Sequence, residues 1–286
     1  MLDGDSIERV VRSTRAGVAG ANRDSERIAV PRAAAVAPGV LSVLAGLAVW
    51  EGVSRIWAIP FLPPFSTVLR TAVGMALEGE VLRDLAFSLG NLALGYGLAV
   101  CCGIGAGLMM GRHRKVAYAL DPLVTVMLAS PKLLFVPVLY ALFGVSRSAQ
   151  IAVVFLSAVF IIVANTASAV RTVDPAAVQM ALSFGASRRQ LFWKVLLPGS
   201  LPLTMAGLRL GMGRAVAGMI TGEMFITVFG LGARLHTYGN RFDAASVFAI
   251  LLFVVAVALI CGQAVRLAEQ HFTRWTTQTG ERGFRE

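Results

Sequence analysis

The stretch DPAAVQMALSFGASRRQLFWKVLLPGSLP, residues 174–202, lies between two segments, 149–170 and 203–227, each apolar enough to cross a membrane. Its punctuation is that of two short helices meeting at an elbow. Asp174 is placed to accept the free N–H groups of a helix start, and Pro175 takes the first helical position, where a missing N–H costs nothing. Gly185 stands where a chain leaving a helix turns left-handed, and Ser187 with Gln190 three residues on makes a capping box for the second helix. Pro198 and Pro202 then end that helix. Leu191, Phe192, Val195 and Leu196 recur at helical spacing and give it an apolar face, with Arg188, Arg189 and Lys194 on the remainder. Such a face suits a partner protein's groove, and it equally suits an interfacial position on anionic lipid.

Composition extends this reading to the whole chain. Of 286 residues, 56% are hydrophobic and 15% charged, and mean hydropathy is +0.71. A membrane-spanning helix needs about 20 apolar residues, and six stretches qualify: 38–59, 86–111, 116–142, 149–170, 203–227 and 246–266. None shows the period-two alternation of a transmembrane barrel, so helices that close their own hydrogen bonds are the remaining solution. The expected fold class is all-α, a polytopic membrane bundle of about six helices over residues 38–270. Tails at 1–37 and 271–286 flank it.

Six crossings place both tails on one face. Arg and Lys crowd the tails, the 112–115 turn and the 171–194 segment, whereas only Arg70, Arg83, Arg147, Arg234 and Arg241 fall in the opposite connections. The positive-inside tendency makes the crowded face cytoplasmic and puts the elbow there. Topology and anionic inner-leaflet lipid account for the net charge of +10 without a nucleic-acid partner. The first 36 residues have no short apolar core ahead of a small-residue cleavage site, so they do not read as a signal peptide.

Nothing in the sequence reads as a catalytic or metal centre. Cys101, Cys102 and Cys261 all fall inside spans without zinc-site spacing, and His113, His236 and His271 are scattered. The lysines, Lys115, Lys132 and Lys194, lack the Gly before and Ser or Thr after that a phosphate-binding loop requires. The chain reads as a non-enzyme with no cofactor of its own.

Charges within the spans are solute-path candidates, because a charge at membrane depth costs about 2.5–3.5 kcal/mol on insertion scales. Lys132, Arg209, Arg214 and Glu223 are of this kind, although Arg209 also has the reach to snorkel toward lipid. Pro131 and Pro137 remove two backbone donors around residues 132–136 and should kink the third span, a candidate gate. Asp121 beside Pro122 reads as a turn or helix start, and Glu51 with Arg55 as an i, i+4 pair. Gly103, Gly107 and Gly111 recur at four-residue intervals, as do Gly207 with Gly211 and Gly218 with Gly222, the spacing that lets helices approach closely.

The ordered residues Ala181, Gly185, Val195, Leu197 and Pro198 resemble the EAA loop of permease subunits in ATP-binding-cassette importers: EAA, three residues, Gly, nine residues, Ile, any residue, Leu-Pro. The family's Glu falls at Gln179 and its next Ala at Met180, so a charge has become an amide. The segments LPPFSTVL at 62–69, SPKLLFVPVLYALFG at 130–144 and GEMFITVFGLG at 222–232 resemble the nitrate, sulfonate and taurine branch, in its order. The resemblance implies that Asp174, Gln179, Ala181, Gly185, Arg188, Arg189, Val195, Leu197 and Pro198 form a coupling helix hairpin seated on a cytoplasmic ATPase. It further implies two ATP-binding subunits carrying ATP and Mg, an extracytoplasmic solute-binding protein, a second permease copy as a homodimer, and a bacterial inner membrane. The implied solute is a small anion such as a sulfonate or nitrate. The rival reading, a secondary transporter or channel, calls for inverted repeats and paired broken helices, and one Pro-broken span without a convincing repeat argues against it.

Overall fold

The computed structural model describes residues 32–57, 59–226 and 229–273. The chain divides into two units, Met1–Trp57 and Ala58–Glu286. In the first, helix α1 (Arg32–Trp57) begins in an alanine-rich run ahead of the expected span, as alanine's high helix propensity favours. Arg55 Nη2 lies 2.7 Å from Glu51 Oε1, the expected pair one turn apart. Residues 1–31 and 274–286 of the expected tails lie outside the described residues.

The regular elements described in the second unit are all helices: α2 (Phe65–Leu77), α3 (Glu80–Arg112), α4 (Arg114–Ala129), α5 (Val136–Phe143), α6 (Arg147–Arg171), α7 (Pro175–Ser183), α8 (Arg188–Leu191), α9 (Leu197–Ile226), α10 (Leu231–Asn240) and α11 (Ala244–Phe272). Among the described residues, five helices are long and apolar enough to cross a membrane, and α4 with α5 makes a sixth crossing if the bent pair counts as one. The all-α, polytopic class stands.

Helix α6 is the axis of this unit, with α3 and α9 packed along it. The glycines at four-residue spacing explain how close they come. A β-carbon on Gly103 would meet Ile162 at 2.7 Å, one on Gly107 would meet Thr166 at 2.5 Å, and one on Gly111 would meet Val170 at 2.5 Å, so α3 lies parallel to α6 in matched four-residue steps. From α9, Gly207 abuts Asn165, Gly211 abuts Ile162 and Gly218 abuts Ser157, the descending order of an antiparallel neighbour. Both stripes therefore serve packing inside one subunit. Without a hydrophobic driving force between lipid-immersed helices, this close backbone approach and its dispersion contacts hold the three together.

Three expectations about helix breaks and ends change. The third span is broken rather than merely kinked: α4 and α5 are bent by 101°, and a 3-10 turn, Lys132–Phe135, joins them. Pro137 sits in the first turn of α5, where its ring is accommodated. Pro122, however, lies inside α4, so Asp121 and Pro122 mark neither a turn nor a helix start. Nor do Pro198 and Pro202 end the second elbow helix. A π turn, Phe192–Leu196, in which Leu197 N–H donates to the Phe192 carbonyl five residues back, carries α8 into α9. The result is one run, Arg188–Phe225, of 38 residues. The wider turn gives the Pro198 ring room, and Pro202 is tolerated inside a membrane helix as such prolines often are.

Gly107→Leu should destabilise the bundle by about 1–3 kcal/mol through overpacking against Thr166, read as a lower melting temperature in detergent. Gly105→Leu, where nothing lies within 4 Å, should stay within about 0.5 kcal/mol of the parent.

Candidate functional site

The elbow forms as its residues dictate. Asp174 accepts a 2.8 Å hydrogen bond from Ala176 N–H at the start of α7. At its end, Gly185 has φ +77°, and Ala186 N–H donates to the Ala181 carbonyl at 3.0 Å while Gly185 N–H donates to that of Leu182 at 2.9 Å. That pair of bonds is a Schellman closure, which needs the left-handed residue. Ser187 and Gln190 form the reciprocal capping box of α8. Asp174, Gln179, Gly185, Arg188 and Arg189 are exposed, whereas Ala181, Val195, Leu197 and Pro198 are half-buried.

The elbow's outward apolar surface differs from the one expected. Leu191, Phe192, Val195 and Leu196 are half-buried, and Phe192 lies beneath the Arg112 guanidinium, 5.1 Å from its ring centre, which ties the elbow to the end of α3. The exposed apolar side chains are Met180, Leu182, Trp193 and Phe184, the last 85% exposed. The expected face was read from periodicity on one helix alone. Phe184, directly before the turn glycine, was the available signal for the other, since a side chain at a helix exit projects away from the packed turns.

A second feature lies where the α4–α5 break meets α6 and α9. A cavity of about 400 Å³ opens there, lined by Pro131, Lys132, Ser157, Arg214 and Thr221 among others, with no carboxylate among the described residues. Lys132 Nζ donates to the Ser130 carbonyl at 3.1 Å. The cavity thus brings together Pro131, Lys132 and Arg214, and excludes Pro137, Arg209 and Glu223. Arg209 Nη1 instead lies 2.9 Å from Glu269 Oε2, bridging α9 to α11.

Glu223 belongs to a polar clamp at the end of the bundle away from the elbow. It is 1% exposed, and its Oε2 accepts a 2.9 Å hydrogen bond from Gly232 N–H. Leu231 N–H donates to Ser88 Oγ at 3.1 Å and Gly230 N–H to Asp84 Oδ1 at 3.4 Å. Three side chains therefore satisfy the free donors at the start of α10, a role that the segment 222–232 did not reveal because two of the acceptors are on α3. Arg234 pairs with Asp84 and with Glu80 at 3.1 Å. Burial opposes the Arg234 charge, but its hydrogen bonds to Asp84 and Glu80 prevail and hold its pKa above the ordinary arginine range.

Residues 99–275 match the family described as binding-protein-dependent transport system inner membrane component. The chain belongs to that family. The taurine transport system permease protein TauC of Escherichia coli (strain K12) is 31% identical over 245 residues, covering 83% of this chain and 88% of that protein. The putative aliphatic sulfonates transport permease protein SsuC of Bacillus subtilis (strain 168) is 26% identical, covering 83% and 87%. The nitrate import permease protein NrtB of Leptolyngbya laminosa is 30% identical, covering 67% and 69%. An inward-facing structure of the MetNI methionine ABC transporter has the same fold, with TM-score 0.61 at 17% identity over 69% of this chain and 98% of the other.

This permease is accordingly a multi-pass inner-membrane subunit of an ATP-driven, binding-protein-dependent importer, a class that works with ATP-binding partners and a solute-binding protein. Its relatives are transport components. In the permease, Glu223→Ala should cost about 1–3 kcal/mol by leaving the Gly232 donor unpaired. Glu223→Gln, whose amide oxygen replaces the acceptor, should retain the parent's melting temperature in the same detergent.

Proposed function

We propose that the permease passes a small anionic solute of the sulfonate or nitrate kind through the cavity at the helix break. The observation that carries this reading is that Lys132 and Arg214 share a cavity that bears no carboxylate among the described residues. Two cations at membrane depth without an acidic partner are costly unless an anion visits them. The taurine, sulfonate and nitrate permeases among the relatives support the same class.

In this reading two copies surround one pathway, and both termini and the elbow face the cytoplasm, as the distribution of Arg and Lys favours. Two ATP-binding subunits, which carry the ATP and Mg, seat on the elbow. Phe184, Met180 and Trp193 supply the desolvated contacts there, while Arg188 and Arg189 supply charge at the rim. A loaded solute-binding protein at the other face and ATP at the elbow favour different arrangements of the permease, without which no net transport follows.

Lys132→Met and Arg214→Met should each lower uptake of the anion by about tenfold or more, the worth of one charged hydrogen bond. Lys132→Arg should restore much of it, and liposomes loaded with the whole transporter are the assay. Unchanged uptake in both methionine variants would defeat the anion path.

The elbow is tested separately. Gly185→Pro, or charge reversal at Arg188 and Arg189, should uncouple ATP hydrolysis from uptake while membrane insertion and copy number stay normal. Phe184→Asp should reduce recovery of the ATP-binding subunits on purification by tenfold or more, since a central interface aromatic is typically worth about 2 kcal/mol.

A further inference from the structure

At the elbow end of the bundle, α3 finishes at Arg112, the chain turns through extended His113, α4 begins at Arg114, and α6 finishes at Arg171. Between these three ends lies a cavity of about 550 Å³, lined by Arg114, Tyr118, Asp121 and Arg171 above a floor of Met110 and Gly111. The transport reading uses none of these residues. Among the described residues, the side chains of Arg114, Arg171, Tyr118 and Asp121 have no hydrogen bond or ion pair, although all four line one cavity. His113 offers the first turn of α4 no side-chain cap, so the positive end of that 16-residue helix adds to the two guanidiniums.

We propose that this cavity binds the phosphate headgroup of an anionic phospholipid. Two arginines, with their forked donors, match a phosphodiester, and the Tyr118 hydroxyl supplies a further donor. The single carboxylate, Asp121, leaves the lining net positive. What favours a lipid over a soluble phosphate is where the cavity stands, at the ends of two membrane-length helices, Glu80–Arg112 and Arg147–Arg171. Tyr118, one turn along α4 on the same face as Arg114, is 78% exposed, as an aromatic side chain among headgroups would be. A phospholipid's acyl chains hold its phosphate at that edge of the membrane, whereas inorganic phosphate has to be drawn from solution. Basic pockets between transmembrane helices at a membrane face are a recurrent setting for such headgroups. The inference does not depend on the solute or on which face is cytoplasmic.

The test uses the intact transporter, full-length permease with its ATP-binding subunits, purified from membranes and exchanged into mild detergent with phosphatidylglycerol or phosphatidylcholine. Retained lipid is then counted by native mass spectrometry. The parent should retain phosphatidylglycerol selectively. Arg114→Gln with Arg171→Gln should lower that retention about thirtyfold, roughly fivefold for each arginine, with no change for phosphatidylcholine. Asp121→Asn, which removes the opposing charge, should raise it, a gain that misfolding does not produce. Equal retention by the parent, the double variant and Asp121→Asn overturns the proposal. So does displacement of phosphatidylglycerol by millimolar inorganic phosphate, which would assign the cavity to a soluble anion.

Discussion

Two rows of glycine set the distance at which α3 and α9 close on α6, and most of the bundle's geometry follows from that spacing. With no β-carbons along the seams, the backbones of three membrane-length helices come near enough for dispersion to replace the hydrophobic driving force that lipid removes. The matched four-residue steps leave little freedom to slide, because moving one helix along another would drive Thr166, Val170 or Ser157 into backbone. The three helices therefore act as one stiff body, and compliance is left to the segments outside the seams: the α4–α5 break and the elbow.

The polar clamp works on the same body from the end away from the elbow. A buried carboxylate, a serine hydroxyl and the Asp84 carboxylate converge on the first donors of α10, and Arg234 closes the group by pairing with Asp84 and Glu80. Alongside, Arg147 donates to Asn91 Oδ1 at 2.7 Å, and Asn91 donates to Gln150, joining α3 to α6 where the glycine stripe ends. Burying so many polar groups is tolerable because nearly all are paired. Glu223, a pathway candidate in the sequence, caps α10 in the structure.

What was legible in the sequence was whatever local chemistry fixes. Asp174, Pro175, Gly185, Ser187 and Gln190 each act on neighbours within about five residues, and each adopts the expected conformation. The spans were legible for the same reason, since length and hydropathy are local sums. The helix-ending role of Pro198 failed because a π turn upstream absorbs the steric conflict, and no residue type announces a π turn; Pro202 is tolerated inside α9. The partners of Arg209 and Glu223 were invisible because they stand on other helices, Glu269 on α11 and Asp84 and Ser88 on α3. The glycine spacing was readable, but whether it served one subunit or two was settled only by Ile162, Thr166 and Val170 lying opposite.

The unbroken run from Arg188 to Phe225 has a mechanical implication. Arg188 beside the elbow's turn and Arg214 on the cavity wall share one helix and are separated along its axis by about 39 Å, at 1.5 Å per residue. A rocking of about 5° at the elbow sweeps Arg214 sideways by roughly 3 Å, the span of one hydrogen bond. A shaft of that length turns a modest nudge at one membrane face into the making or breaking of a contact at the bilayer's middle, and the π turn near its foot is the place where it can flex.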